Sequence, residues 1–431
     1  MGENAVKTKM VNLLYGRQGL QVRLPGICQG HWIRKGRLPV LQDLSAACLK
    51  ALNSPVGCPP LREVARGGRT ACILVCDITR PVPNASLLPP VLAELGAAGV
   101  GRDQITVLIA TGLHRAAPEE EKRSIVGDEA YSEVRVENHH AEDDASHVRL
   151  GMSSGGIPAL LDRRFVEAEV RIVTGLVEPH FMAGYSGGRK VVVPGVAHRD
   201  TILPLHAPPL MEHPRATSCV LDDNPLHREQ LEIAGMVGPV FGVNVVLDEE
   251  RRGVFVSAGA LVESHLQAVE VARRISEVRV GRKFHTILTS AGGFPLDKTY
   301  YQTIKGMVTP LGILEPGGTV VVVSECSEGV GSAGFRDAQV RLVQLGPQGF
   351  LAQISSAERP KIDQWQTEKL AQALCRAQIH LYAPTLPELD WGLLGVHRAR
   401  DPMGAVEEAV ARSGDVAVAV IPEGPYVIPF P

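Results

Sequence analysis

At 431 residues the chain exceeds what one ordinary hydrophobic core holds, which predicts two domains or one large enzyme domain with a satellite. Hydrophobic residues at 45%, charged residues at 21% and 44 glycines exclude a disordered or fibrous chain and fit a soluble α/β enzyme. A formal net charge of -3 lacks the cationic excess that nucleic acid or an anionic membrane demands, so a small molecule is the expected partner.

In chain order, a recurring unit appears: an apolar, β-branched run that empties into a polar turn with glycine or proline. "ACILVC" runs into Asp77-Ile78-Thr79-Arg80-Pro81, "QITVLIA" into Thr111-Gly112-Leu113-His114-Arg115, and "AEVRIVTGLV" into Glu178-Pro179-His180. Later, "FHTILTS" precedes "AGGFPLD", "GGTVVVVS" precedes "ECSEGVGSAG", and "GDVAVAVIP" precedes "EGPYVIPF". Helical patterns such as "PPVLAELGAAGV" and "AEDDASHVRL" lie between them. The alternation predicts an α/β fold of two domains, each a mostly parallel sheet with flanking helices. Ligands of such sheets sit at the carboxyl ends of strands, where Asp77, Arg80, His114 and His180 fall. Residues 258–282 read as one long amphipathic helix and a natural hinge. The domains are accordingly expected at 1–275 and 276–414, with the terminal strand at about 415–431 free to rejoin the first.

The eight cysteines form no C-x-x-C pair and read as reduced core residues rather than disulfides or a thiolate metal site. The opening "MGENAVKTKMVNLLYGRQG" has no apolar run of signal-peptide length, and no segment reaches the roughly 18 apolar residues of a membrane helix. A cytoplasmic location is expected.

The stretch "EPHFMAGYSGGRKVVVPG" holds Gly184-Tyr185-Ser186-Gly187-Gly188, a G-x-S-x-G pattern. A nucleophile elbow needs a strand feeding the serine and a helix leaving it. Upstream stands Pro179-His180-Phe181-Met182-Ala183, and downstream three valines and Pro194 favour extended chain. Ser186 therefore reads as a turn hydroxyl. A phosphate loop fails at Arg189 and Val191, and "GAAGVG" at 96–101 ends a helix rather than opening one. The acidic run Glu142-Asp143-Asp144 reads as a solvated helix start. What remains is a glycine hairpin presenting Lys190, with His180 before it and His206 after it. A partly desolvated amine there is a usable nucleophile or covalent anchor.

"DITRP", "TGLHR", "EPH", "GYSGGRK", "LPLH" and "GFPLDKTYYQTIKG", in this order, with "DQWQ" at 363–366 and the closing "VAVIPEGPYVIPF", resemble the nickel-dependent lactate racemase family over nearly the whole chain. The resemblance implies a racemase or epimerase inverting C2 of a 2-hydroxy acid through a 2-keto acid, by reversible hydride transfer to a nickel-pincer nucleotide. It implies that Lys190 of the first, cofactor-anchoring domain holds this nucleotide through a thioamide, that the hairpin glycines clear space for it, and that His206 completes the nickel coordination. Imidazole together with sulfur donors suits Ni(II). His114 and His180 correspond to the acid/base pair, one for each face of the substrate. The turn Asp77, Ile78, Thr79, Arg80 corresponds to the cofactor-contacting segment, with Arg80 also able to meet the substrate's charge. Gln302 and Lys305, three apart on one helical face, correspond to the substrate carboxylate site of a second, closing domain, and Trp365 to a tryptophan that helps shut it. Arg189 has no assigned role: cofactor phosphate, a second substrate carboxylate and water all remain open. Enzymes that build the cofactor are implied as partners. Two other functions stay on the table, a serine hydrolase acting through Ser186 and a non-catalytic carrier of the nickel nucleotide; paired His114 and His180 argue against the carrier.

Overall fold

The computed structural model describes residues 10–357 and 360–431. They form two compact units, one of residues 37–274 and one of residues 275–431 together with the N-terminal segment to Gly36.

The 37–274 unit is built on a six-stranded sheet in the order Gly253–Ala260, Phe241–Leu247, Val170–Leu176, Ala71–Cys76, Ile105–Ala110, Arg135–Asn138. All neighbours are parallel except the first pair. Central strands such as Ala71–Cys76 are buried on both faces, which is why they read as unbroken apolar runs. Helices Leu44–Asn53 and Asn84–Ala97 cover one face, the former capped by the Asp43 carboxylate accepting from the Ala46 amide at 2.9 Å.

The second unit carries six parallel strands in the order His397–Arg398, Gln378–Tyr382, Leu314–Val323, Phe284–Ser290, Ala417–Ile421, Gln29–Trp32. Alternate residues enter two separate cores. Ile287, Val320, Val322, Ile379 and Ile421 pack on one face. Leu288, Val321, Val323, Val418 and Val420 pack on the other, against Val11 and Leu13.

Two expectations about domain content differ from this arrangement. The described residues before Arg37 belong with the C-terminal sheet, because Gln29–Trp32 pairs with Ala417–Ile421. A four-residue edge strand containing Gly30 and His31 has no apolar run to announce it. The closing strand pairs with Phe284–Ser290, Val418 facing Thr286, instead of returning to the first unit.

Locally, the helix expected over 258–282 is Leu261–Ser276, because Ala258 to Ala260 end a strand paired with Phe241–Leu247 and Glu277–Arg279 pairs with Ile428–Phe430. "AEDDASHVRL" is not helical. Asp143 caps a single turn, Asp144–Ser146, and His147–Met152 is a strand antiparallel to Pro158–Asp162. All eight cysteines are free thiols. No described helix is long and apolar enough to cross a membrane.

Candidate active site

Three neighbouring strands of the 37–274 unit, Ile105–Ala110, Ala71–Cys76 and Val170–Leu176, run parallel and end side by side. The turns leaving them carry His114, Asp77 to Arg80, and Glu178 to His180. Thr79 folds the middle turn by donating to Asp77 Oδ1, from its hydroxyl at 2.6 Å and its amide at 3.2 Å. The other carboxylate oxygen, Oδ2, lies 2.6 Å from His114 Nδ1. A carboxylate only accepts, so Nδ1 carries hydrogen and neutral His114 presents a bare Nε2. Burial by itself would push the Asp77 carboxyl up, but His114, Thr79 and Arg80 outweigh it and hold the group below its ordinary value. Arg80 donates to Glu178 Oε1 at 2.7 Å, with both side chains largely buried.

His180 is 9% exposed and accepts at Nδ1 from the Ala183 amide at 3.2 Å and the Met182 amide at 3.4 Å. Amides only donate, so this Nδ1 is bare and the neutral ring holds its hydrogen on Nε2. The two histidines therefore carry opposite tautomers, imposed by a carboxylate in one case and by backbone amides in the other.

Pro179–His180 pairs with Gly184–Tyr185 to start the hairpin. Gly187 and Gly188 adopt φ of +74° and +50°, which favours glycine. A Cβ on Gly187 would stand 2.8 Å from the Val177 side chain, and one on Gly188 2.6 Å from the His265 ring. The glycines thus let the hairpin lie against its own scaffold. Ser186 is 4% exposed; its Oγ donates to Leu176 O at 2.7 Å and accepts from the Glu178 amide at 3.0 Å. That hydroxyl is consumed by the backbone. Beyond it, Arg189–Val192 forms one helical turn where extended chain was expected, because Gly188 in a left-handed conformation reverses the chain and Val193 N reaches Arg189 O at 2.8 Å.

Lys190 lies on this turn, half-buried, and makes no hydrogen bond or ion pair among the described residues. Desolvation first, then the Arg80 and Arg189 cations, push its pKa from 10.5 down to about 7. His206 closes the Arg199–Leu205 helix and donates from Nδ1 to Ile202 O at 2.8 Å, which leaves the lone pair on Nε2. Burial, reinforced by the Lys190 charge, takes its pKa down to about 4, so the ring is neutral at pH 7. A carbonyl-anchored neutral imidazole is the usual form of a metal-binding histidine. The nearby Cys76 thiol is pushed up to about 12 by burial and is protonated in the metal-free protein.

Of the residues singled out in the sequence, Asp77, Thr79, Arg80, His114, His180, Lys190 and His206 all belong to this unit, while Ile78 packs against its apolar core. Gln302, Lys305 and Trp365 belong to the other unit. Gln302 and Lys305 share the Tyr300–Val308 helix, capped by Thr299. Gln302 is 7% exposed and its Oε1 lacks a partner among the described residues. Trp365, 5% exposed, donates from Nε1 to the Tyr301 hydroxyl at 3.0 Å. Sequence reasoning missed Glu178 as the partner of Arg80, Asn244, which accepts from the Gly188 amide at 3.2 Å, and His265 behind the hairpin. Only Glu178 carried a signal, an acid directly after a strand run.

Imidazoles of fixed tautomer, together with an amine lowered to titrate near pH 7 at the ends of parallel strands, are the equipment of an α/β enzyme. Residues 15–219 match the lactate racemase N-terminal domain and residues 281–428 the lactate racemase C-terminal domain. The chain is 32% identical over 384 residues to a lactate racemase of Lactiplantibacillus plantarum, covering 88% of this chain and 89% of that protein. It is 30% identical over 376 residues to one of Thermoanaerobacterium thermosaccharolyticum, covering 86% and 87%. The structure of the lactate racemase apoprotein from the latter organism superposes with a TM-score of 0.87 at 29% identity, over 98% of this chain and 100% of that one. A Thermotoga maritima protein at 15% identity and TM-score 0.67, over 92% and 99%, shares the fold. The chain belongs to the lactate racemase family. By that membership it is an isomerase of the racemase class.

Proposed function

We propose that the protein inverts C2 of a 2-hydroxy acid, lactate-like, malate-like or a sugar acid, with a nickel-pincer nucleotide tethered to Lys190. The observation that carries this reading is the Lys190 amine, lowered to about 7 and without a partner, whose charge also acts on His206. A neutral amine is the form that makes a covalent bond to a thiocarbonyl group. Among the described residues no group of three or more His, Cys, Asp or Glu is placed to hold a metal ion. Nickel at His206 would therefore take its other donors from a bound group, as sulfur arms and a ring carbon provide. The residues present fit that cofactor. When bound, it would supply a reversible acceptor for the C2 hydride.

The chain's own residues handle charge and protons. His114, with hydrogen on Nδ1 and a bare Nε2, takes the substrate hydroxyl proton; Asp77 stabilises the resulting imidazolium. His180 hydrogen-bonds the substrate oxygen from the opposite face through Nε2–H; to return a proton there it must first be protonated at Nδ1, which gives up its amide contacts, and turnover in the reverse sense exchanges the roles of the two rings. Arg80 is held by Glu178 to orient the cofactor or the substrate's charge. Gln302, through its amide NH2, and Lys305 bind the substrate carboxylate. Trp365 buttresses the Gln302 helix through Tyr301.

The test is intact-mass and metal analysis of protein produced together with the cofactor-building enzymes, followed by an optical-rotation assay on a panel of 2-hydroxy acids. A mass increment localised to Lys190, nickel in stoichiometric amount and racemisation of a panel member are expected. Substrate deuterated at C2 should keep its label during racemisation in ordinary water; rapid washout excludes direct hydride return. No observation favours the hydrolase alternative, since the Ser186 hydroxyl is held by backbone groups.

A further inference from the structure

The loop from Thr111 to Ala117, which carries His114, is held at both ends by two consecutive residues, Asn138 and His139, where strand Arg135–Asn138 stops. Asn138 takes the far end: its Oδ1 accepts from the Ala117 amide at 3.1 Å and its Nδ2 donates to Ala117 O at 2.8 Å. His139 takes the near end. The Thr111 hydroxyl lies 2.8 Å from His139 O and 3.3 Å from His139 Nδ1, so its one hydrogen has two acceptors, both on His139. Thr111 O in turn accepts from the His114 amide at 2.9 Å. Thr111, Asn138 and His139 are all buried, so a bond lost among them is not made good by water unless the loop opens.

His139 is itself set by a second buried imidazole. His147 Nδ1 lies 2.7 Å from Asp143 O; a carbonyl only accepts, so Nδ1 carries hydrogen and neutral His147 has a bare Nε2. That nitrogen lies 3.0 Å from His139 Nε2, which must be the donor, and His139 Nδ1 is left bare toward Thr111. One hydrogen serves the two facing nitrogens. A proton added to either ring sets N–H against N–H, and the contact breaks. Burial, followed by the His147 charge, pushes His139 down to about 2, and burial holds His147 below its ordinary value. Around the pair, Asp143 and Asp144 precede His147, His140 follows His139, and Arg163 donates to His147 O at 3.4 Å. Asp162 stands opposite His147 on the paired strand but is bound to Arg164 at 2.6 Å, and Arg164 also pairs with Glu137. His198 lies edge-on to His147 with ring centroids 5.0 Å apart, its Nε2 2.9 Å from Asp144 Oδ1. The carboxylate in register with His147 is thus already matched by a cation.

We propose that His139 is a positioning residue for His114 and that His147 makes its hold sensitive to acid: an added proton parts the two rings, Thr111 is released and the His114 loop loosens. The functional consequence rests on the reading of His114 as a proton-transfer group; the loop opening does not. His114 has to keep Nδ1 on Asp77 Oδ2, 2.6 Å away on a different turn, while its Nε2 meets the substrate oxygen, and a loose loop forfeits both alignments. Both histidines take a proton less readily in the clamp than in an open chain, whose imidazoles titrate at about 6.5. Below that value the open form therefore binds more protons and the clamp weakens as pH falls, whereas above it the clamp is fully formed.

The experiment follows amide hydrogen exchange of the full-length chain, without cofactor, by mass spectrometry at about pH 7.5 and about pH 5, with the intrinsic pH dependence of exchange divided out. Peptides covering residues 111–118 should lose protection by about tenfold or more at the lower value while strand Val170–Leu176 keeps its own. Glutamine cannot take the proton, and its amide turns either N–H or O to the remaining imidazole. His147→Gln and His139→Gln should therefore each keep the protection of 111–118 to within about threefold across the same range, and either variant that folds is decisive. In cofactor-loaded enzyme the ratio of kcat at about pH 5 to kcat at about pH 7.5 should be about threefold or more higher in these variants than in the wild type, whereas a role confined to folding lowers kcat equally at both. No acid loss of protection in the wild type, a loss shared with strand Val170–Leu176, the same loss in a folded variant, or an unchanged kcat ratio overturns the inference. Failure of the racemase reading shows differently, as absent turnover with the acid opening of the loop intact, and His139 then still holds the loop.

Discussion

Lys190 and Asp77 differ from surface residues of their kind through what surrounds them. A surface lysine is protonated to above pH 10, whereas Lys190 is divided between its two forms near pH 7. Competitive acylation followed by peptide mass spectrometry should show Lys190 reactivity rising with a midpoint near pH 7, well ahead of the exposed lysines; a midpoint near 10 removes the case for a covalent anchor. The same shift affects stability. The folded state releases this proton more readily than the unfolded one, so between about pH 7 and 10.5 the unfolded chain binds more protons and stability rises with pH across that window. Below it the penalty is fully present. Lys190→Met should therefore stabilise the protein more at pH 6 than at pH 10, as read by chemical denaturation at the two values. Asp77→Asn leaves the volume intact but removes the negative acceptor that sets the His114 tautomer, and kcat/KM should fall by about 10²-fold. Enantiomers have equal free energies, so for a substrate racemised between them kcat/KM must drop by the same factor in both directions. Only kcat and KM separately can register the unequal footing of His114 and His180.

At the scale of elements, the hairpin from Pro179 to Val192 is a mount for one side chain. Its geometry depends on left-handed glycines packed against Val177 and His265, on the Ser186 hydroxyl stitched to strand Val170–Leu176, and on the Arg189 fork. Gly188→Ala combines a strained φ with a clash against an imidazole ring and should cost about 2 kcal/mol or more, measured by urea denaturation. Ser186→Ala strands one buried amide and should cost about 1–3 kcal/mol while leaving most of the racemase activity; loss of turnover in a folded Ser186→Ala protein would return the serine to the chemistry. The strand-end turns were legible because apolar β-branched runs stop where the backbone leaves the ladder. Helix Leu261–Ser276 was legible as helix but not in its bounds, since its flanks take part in pairings with distant strands.

At the scale of the molecule, the 37–274 unit is one continuous stretch with its own apolar core, whereas the other unit draws its edge strand and part of its core from residues before 37. A fragment of residues 37–274 should unfold cooperatively by itself, while 275–431 alone, lacking Gln29–Trp32, Val11 and Leu13, should lack a cooperative transition until a peptide of residues 1–36 is supplied. Circular dichroism melts of the two fragments check this. The domain boundary near residue 275 could be read from composition because a new strand series begins there; the N-terminal contribution could not, since four weakly apolar residues acquire meaning only beside their partner strand.

The amino-acid sequence by itself determined the α/β class, the strand runs, the positions of the chemistry-bearing turns and the motif order that marks the family, because these depend on local periodicity and residue type. Tertiary structure alone decided which histidine carries its hydrogen on which nitrogen, that the Lys190 amine is desolvated, that the hairpin glycines pack against Val177 and His265, and that Arg189 is buried without a carboxylate partner among the described residues. Tautomer, desolvation and close approach are properties of groups brought together from far apart in the chain, and they come into being only when the chain folds.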